Sequence, residues 1–337
     1  MIYSFFDLAF EGTSIEDLLQ TSKFNNQSII VFDKQNEYGS TFSDIQNLKD
    51  NLQVKNLQVF KNNSKIIFEL DMKFLSSSDE LVKIIDKSGI NEFLNFVVVK
   101  KRYYVDNDQI YLVPQTIKEL IECEWLNIME KYYISKYLKK EISFEIMENN
   151  LKYKTKEIFS IMLHSIQNDF YYPVYGYKEI SELLSRSLAI NNVAFILDKN
   201  ISIKIKDELN NQNKNLISDD KLNYKFKISR KSDIIFCKNL YTKKLQNVKK
   251  YVRILNIKNN VFKEMSFGFI NYNCCKFNFF IVDSNSKCCK EGTYILYIFS
   301  EFTKINNNIC QMLKFKNDDI LFDISFEIYK SKHEFFT

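Results

Sequence analysis

Imidazole chemistry has little to draw on in this 337-residue chain, which holds two histidines, His164 in a stretch with helical spacing and His333 near the end. Neither sits in a Ser-His-Asp or Cys-His arrangement, and no H-x-x-x-H pair offers two metal ligands on one helical face. Nucleophilic hydrolysis is not expected. Seven cysteines include the adjacent pairs Cys274-Cys275 and Cys288-Cys289, which raise the question of zinc. Adjacent cysteines lack the C-x-x-C spacing that lets two sulfurs reach one tetrahedral ion. No metal site is expected.

Gly12-Thr13-Ser14 follows an apolar run from Ser4 to Phe10 and precedes the amphipathic stretch Ile15 to Ser22. Ser28 to Phe32 then reads as a short buried strand ending at Asp33. Strand, glycine turn, helix, strand and an acid about 20 residues on is the order of a dinucleotide-binding βαβ unit. The phosphate-binding glycines are missing. In place of G-x-G-x-x-G the chain has Glu11-Gly12-Thr13-Ser14-Ile15-Glu16. The second glycine of that motif lets the backbone approach a pyrophosphate, and the third lets the helix pack closely. Glu11 and Glu16 add negative charge where phosphate would sit. No FAD or NAD is expected.

Further along, Glu179 and Arg186 are seven residues apart and share a face if one helix carries both. Taken alone, that spacing describes a solvated helix face, and Tyr38 beside Gly39 describes a packing residue after a strand. Ser77 and Glu80 have the spacing of a capping box, opening a helix that Gly89 can close. Phe96 to Val105 and Gln109 to Val113 read as strands joined through Asp106-Asn107-Asp108. Thr116 and Glu119 form a second capping box. Behind it, one helix would carry Ile117, Leu120, Ile121, Trp125, Ile128, Met129, Tyr132 and Tyr133, and another, from about 155 to 167, would carry Ile158, Ile161, Met162 and Ile166. The apolar stripe of Trp125, Ile128, Met129, Ile158, Ile161 and Met162 reads as ordinary core or as a groove for a lipid chain. From Val193 onward the chain is strand-rich, interrupted by a polar loop at Asn210 to Asn215.

Hydrophobic content of 45% and aromatic content of 15% belong to a folded chain of one or two domains. The net charge of +5 is small, and basic residues alternate with acids, so nucleic-acid binding is not expected. The odd cysteine count does not describe a secreted disulfide framework. The start has no basic region ahead of an apolar stretch, apolar runs such as Phe277 to Val282 are too short to span a bilayer, and the end offers no cysteine for prenylation. A cytoplasmic protein is expected.

The most distinctive run is Tyr171-Tyr172-Pro173-Val174-Tyr175-Gly176, followed by Glu179, Arg186 and Phe195 to Lys199. It resembles the Rab GDP-dissociation inhibitor and Rab escort protein family, in which a Tyr-Pro-Leu-Tyr-Gly turn starts a helix bearing a Glu and, two turns on, an Arg. Asp33 to Ser40 resembles that family's Asp-Arg-Asn-Pro-Tyr-Tyr-Gly-Gly. Lys73-Phe74-Leu75 with Leu81-Val82-Lys83 resembles its inhibitor branch, and Pro114, the other of the two prolines in the chain, falls on a family Val-Pro. Gly292-Thr293-Tyr294-Ile295 resembles its Gly-Lys-Tyr-Ile.

The resemblance implies an α/β, FAD-binding-like fold without a cofactor, made of 1–113 and 169–337, with a reduced helical domain at 114–168. It implies a non-enzymatic, monomeric carrier of GDP-bound, prenylated Rab GTPases, cycling between cytosol and membrane. Tyr38, Glu179, Arg186 and Ile196, which stands where the family has a Met, would meet the GTPase. Trp125, Ile128, Met129, Ile158, Ile161 and Met162 would shelter its lipid. On this resemblance the helical domain is expected to be shorter than the family's and the family's final stretch to be absent. An escort protein presenting unprenylated Rab to a transferase, a flavin-dependent oxidoreductase, and a scaffold that has lost Rab binding are the alternatives.

Overall fold

The computed structural model describes residues 3–24, 27–33, 35, 37–39, 41–51, 53–70, 72–106, 109–159, 168–197, 202–205, 226–229, 234–258, 262, 264–273 and 275–336. The chain opens with strand β1 (Tyr3–Glu11), helix α1 (Ile15–Thr21) and strand β2 (Ile29–Asp33). Leu8, Ala9 and Phe10 of β1 and Ile29 to Phe32 of β2 are buried, the composition of parallel strands covered on both faces. α1 begins where Ser14 caps it. The Ser14 hydroxyl accepts from the Asp17 N–H, and the Asp17 carboxylate accepts from the Ser14 N–H, a reciprocal capping box.

These elements form the parallel half of one large mixed sheet. Its order is Val193–Leu197, β2, β1, Ile234–Ile257, Tyr294–Ser300, Cys275–Val282, Ser266–Tyr272, Lys101–Asp106, Gln109–Leu112. The first four strands run parallel. The rest pair antiparallel, except where Ser266–Tyr272 meets Lys101–Asp106. The 24-residue strand Ile234–Ile257 joins the halves, lying beside β1 at its start and beside Tyr294–Ser300 from Tyr251 on. Its pairing with Ile320–Phe336 shifts register between Leu245 and Lys250, as bulges do where a strand changes direction.

Several elements differ from the sequence reading. The helix Glu80–Ser88 is preceded by Asp79 as N-cap, not Ser77. Asp79 turns its carboxylate back to the Ser76 N–H, while Gly89 ends the helix at φ 71° as expected. The strand expected from Phe96 to Val105 is two, Phe96–Val98 and Lys101–Asp106. The first pairs with Phe170–Pro173 in a small separate sheet, and the second joins the large one. The helix expected through Trp125 and Tyr133 is also two, Ile117–Glu122 and Ile128–Leu138. Asn127 restarts the helix through a second capping box with Glu130, an Asn-x-x-Glu signal that local spacing alone would have shown.

Glu130 also holds the helical segment together. Buried, it accepts from the Lys152 N–H at 3.2 Å and the Thr155 hydroxyl at 2.6 Å. Those bonds tie Ile128–Leu138 to the helical turns at 153–159. Leu120, Leu126, Ile134, Met147 and Ile158 from this segment pack into one cluster with the core side chains of the sheet. The polar loop at Asn210 to Asn215 lies outside the described residues.

Candidate functional site

At the turn between β1 and α1, the N–H groups that a pyrophosphate would use already have partners. The Gly12 N–H donates to Phe32 O at 2.8 Å, the Thr13 N–H to Asp33 Oδ2 at 2.9 Å, and the Ser14 N–H to Asp17 Oδ2 at 2.9 Å. Asp33, placed where a ribose-binding acid would stand, also accepts from the Thr13 hydroxyl at 2.8 Å and the Gln35 N–H at 3.0 Å. Two carboxylates therefore take N–H groups that a phosphate would need, and a dianion brought there would face like charge at short range. The cavity alongside, bordered by Ser14, Glu16, Glu69, Lys73 and Tyr177, measures about 40 Å³. That is room for a water, not for a dinucleotide. The residues at this corner do not fit such a cofactor.

A second feature lies on the outer face of the helix Tyr177–Ile190. A cleft of about 460 Å³ is lined by Tyr38, Phe93, Glu179, Glu182, Leu183, Ser185, Arg186 and Ala189. Tyr38 comes from the turn after β2, Phe93 from the 3-10 turn Ile90–Phe93, and the rest from the helix. The helix buries Tyr177, Ile180, Ser181, Leu184, Ser185 and Leu188, and this spacing aims Glu179, Glu182 and Arg186 away from the core. Glu179 and Arg186, about two turns apart, border one opening together with Tyr38.

Charge in the cleft is graded by burial. Burial, with Glu182 nearby, pushes the Tyr38 hydroxyl above the usual tyrosine range. The Glu179 carboxyl is raised first by burial and then by Glu182, against a lowering hydrogen bond from the Tyr175 backbone. Lys178 reaches Glu37 at 3.0 Å and Glu182 at 3.7 Å, tying the Tyr38 turn to the helix. Tyr38 also meets Phe195 edge-on, with ring centroids 5.9 Å apart, a favourable aromatic geometry.

The helix itself is anchored from below. Its N-cap is Gly176, without a side chain to cap it, and the task falls to Glu69. The buried Glu69 carboxylate accepts from the Tyr177 N–H and, at 3.0 Å, from the Tyr172 hydroxyl. A carboxylate at a helix N-terminus is favoured by the unpaired N–H groups and the helix dipole. The Glu69 N–H donates to the Tyr297 hydroxyl at 3.2 Å. Burial, followed by the charge of Glu69, pushes Tyr172 and Tyr297 well above their ordinary values and Cys288 up to about 12.

The model of the GDI family, GDP dissociation inhibitor, matches residues 6–158. No curated protein matches the chain in sequence. Among solved structures, Rab GDI from Plasmodium falciparum is similar with a TM-score of 0.64 at 17% identity, over 99% of this chain and 90% of that one. An oxidoreductase from Methanosarcina mazei gives 0.48 at 11% identity over 97% and 88%. The p-nitrophenol 4-monooxygenase PnpA from Pseudomonas putida gives 0.46 at 8% over 99% and 70%. The fold is thus mixed α/β of the FAD-binding-like kind, as the sequence implied. The matched segment contains Tyr38 and stops before Glu179 and Arg186.

The structure brings Tyr38, Glu179 and Arg186 to one cleft. Ile196 is on the neighbouring strand Val193–Leu197, one residue beyond Phe195, so its side chain leaves the opposite face from the one that meets Tyr38. Phe93, 63% exposed, is a cleft residue that sequence reading missed. It lies between Ile90 and Leu94, both buried, and periodicity gives no sign that it turns outward. Of the six expected lipid residues, the four that are described differ in their surroundings. Ile158 is buried, and Trp125 donates its indole N–H to Leu112 O and packs edge-on against Tyr111. Ile128 and Met129 are 85% and 59% exposed. Ile161 and Met162 lie outside the described residues. Among the described residues no three metal-ligating side chains converge, and no helix is long and apolar enough to cross a membrane.

Proposed function

We propose that the chain is a carrier of the GDP-dissociation-inhibitor type, which binds the GDP form of a prenylated Rab-family GTPase and slows nucleotide release without chemistry of its own. The observation that carries this reading is the convergence of Tyr38, Glu179 and Arg186, far apart in sequence, on one aromatic- and charge-lined cleft. The family match across the segment that holds Tyr38 supports it. Tyr and Arg are enriched among the residues that anchor protein interfaces, and Phe is enriched in interface composition. Arg186, exposed at the rim, can offer its guanidinium fork to a carboxylate or to backbone carbonyls of a partner loop.

Preference for GDP would come from the partner's switch loops, which are ordered differently when a γ-phosphate is present. A ligand that binds one of two states better shifts the balance toward it, so GDP release slows by stabilisation of the GDP conformation. The lipid of the partner would fall to the helical segment at 114–168, taken as a small domain. Ile128 and Met129 remain available there, while Trp125 and Ile158 are committed to packing. Burial of prenyl carbons is worth about 0.8 kcal/mol per CH₂. The carrier would act in the cytoplasm as a monomer, with transient contact at membranes.

The test is a binding assay of the full chain with a Rab-type GTPase, loaded with GDP or a GTP analogue, prenylated or not. Binding should require GDP and strengthen with the prenyl group, and Arg186→Ala should weaken it by about 1–2 kcal/mol. Equal binding of prenylated and unprenylated GTPase would point to an escort role. Binding to neither nucleotide form would refute the proposal.

A further inference from the structure

The corner that would hold a dinucleotide is connected to the cleft by an unbroken chain of hydrogen bonds. The Thr13 hydroxyl donates to Asp33 Oδ2 at 2.8 Å and accepts from the Gly39 N–H at 3.1 Å. Gly39 directly follows Tyr38, so this bond fixes the peptide on the far side of the tyrosine. Asp33 takes the Gln35 N–H at 3.0 Å with its other oxygen and so holds the near side of the same turn. Thr13 is fully buried, and Gln35 and Gly39 are buried as well. Gly39 has φ +77°, and a Cβ there would lie 2.7 Å from Ser181 Oγ. The turn is therefore pressed directly on the helix that carries Glu179 and Arg186.

We propose that Thr13 and Asp33 are positioning residues for Tyr38: the group that elsewhere would recognise a ribose has become an internal strut that sets the tyrosine against the Tyr177–Ile190 helix. The directionality supports this. Asp33 can only accept, so the Thr13 hydroxyl must spend its proton on it, which turns an oxygen lone pair toward the Gly39 N–H. Valine has the shape of threonine but removes both bonds, whereas serine keeps both. The latch at Lys178 is partly exposed and weakens with salt, whereas the buried strut is screened less. The consequence for GTPase binding rests on the proposed function, but the strut itself does not.

The experiment compares Thr13→Val and Thr13→Ser with the unaltered full chain in two measurements. The first is hydrogen exchange at the Gly39 amide, which needs no partner. It should speed up in Thr13→Val and stay slow in Thr13→Ser. The second is affinity for a GDP-loaded, prenylated Rab-type GTPase, which should fall about five- to tenfold in Thr13→Val, the worth of one buried hydrogen bond, and be restored in Thr13→Ser. In a Tyr38→Ala background, Thr13→Val should cost nothing further, because its effect passes through Tyr38. Unchanged exchange in Thr13→Val overturns the strut. Faster exchange with unchanged affinity, or an equal loss in the Tyr38→Ala background, overturns the positioning role. If the unaltered chain binds no GTPase, the proposed function fails, and exchange alone decides whether Thr13 fixes the turn.

Discussion

Replacing Gly176 by alanine tests how the candidate helix is held. Gly176 has φ 77° and ψ −177°, a region that essentially only glycine occupies, and a side chain there costs about 1–3 kcal/mol. The added Cβ would also lie 2.6 Å from Glu69 Oε1, 3.2 Å from the Tyr172 hydroxyl and 3.3 Å from Cys288 Sγ. Glu69 is buried and held by bonds from Tyr172 and Tyr177. It can yield only by weakening them, at about 1.5–3 kcal/mol for a charged acceptor. The sum is about 2.5–6 kcal/mol. At roughly 2 cal/mol/K per residue, the unfolding entropy of a chain this long is about 0.7 kcal/mol/K, so the melting temperature should fall by about 4–9 °C. Gly89→Ala is the control, with φ +71° and nothing within 4 Å of its Cβ. It should cost only the backbone term of about 1–2 kcal/mol, or roughly 2 °C. Calorimetry on both variants decides the matter. A Gly176→Ala protein that melts no lower than Gly89→Ala would refute the claim that Glu69 caps the helix through a space only glycine leaves open.

Two further variants concern carboxylates, one buried and one in the cleft. Glu130→Ala removes the acceptor for the Asn127 N–H, the Lys152 N–H and the Thr155 hydroxyl, and should cost about 2–4 kcal/mol. The fluorescence of Trp125, the chain's single tryptophan, should report it in a denaturant titration, and a loss below about 1 kcal/mol would count against the role. Glu179 has a folded pKa raised above its ordinary 4.5, so folding penalises its ionised form and stability falls as pH rises through that window. Glu179→Gln should therefore match or exceed the unaltered chain in stability at pH 7, with the gain gone below pH 4.5, and on the proposed function GTPase binding should weaken. Lower stability of Glu179→Gln at pH 7 in urea denaturation would contradict this.

Local chemistry was readable wherever it depends on near neighbours. The β1–α1–β2 order, the Thr116–Glu119 capping box and the Gly89 helix end are governed by side chains within a few residues of each other. The break of Phe96–Asp106 into strands of two sheets was not readable, because the partner of its first part, Phe170–Pro173, lies some 70 residues downstream. Ser77 and Asp79 could each cap the same helix, and the choice went to Asp79. At the candidate site, residue types marked Tyr38, Glu179 and Arg186 through their resemblance to a family, and the missing glycines argued against a dinucleotide. The fate of the spared N–H groups was decided only by folding. Thr13 and Asp33 are 20 positions apart, and Thr13 and Gly39 are 26 apart. Their bonds exist because β1 and β2 run parallel and in register. The same holds for Glu69 and Tyr177, 108 positions apart. By itself the sequence determined local starts and stops such as the β1–α1–β2 order, and which side chains can carry charge or packing. Which distant carboxylate meets which N–H was settled by tertiary structure, since hydrogen bonds act over about 3 Å and only the packed sheet brings those atoms within reach.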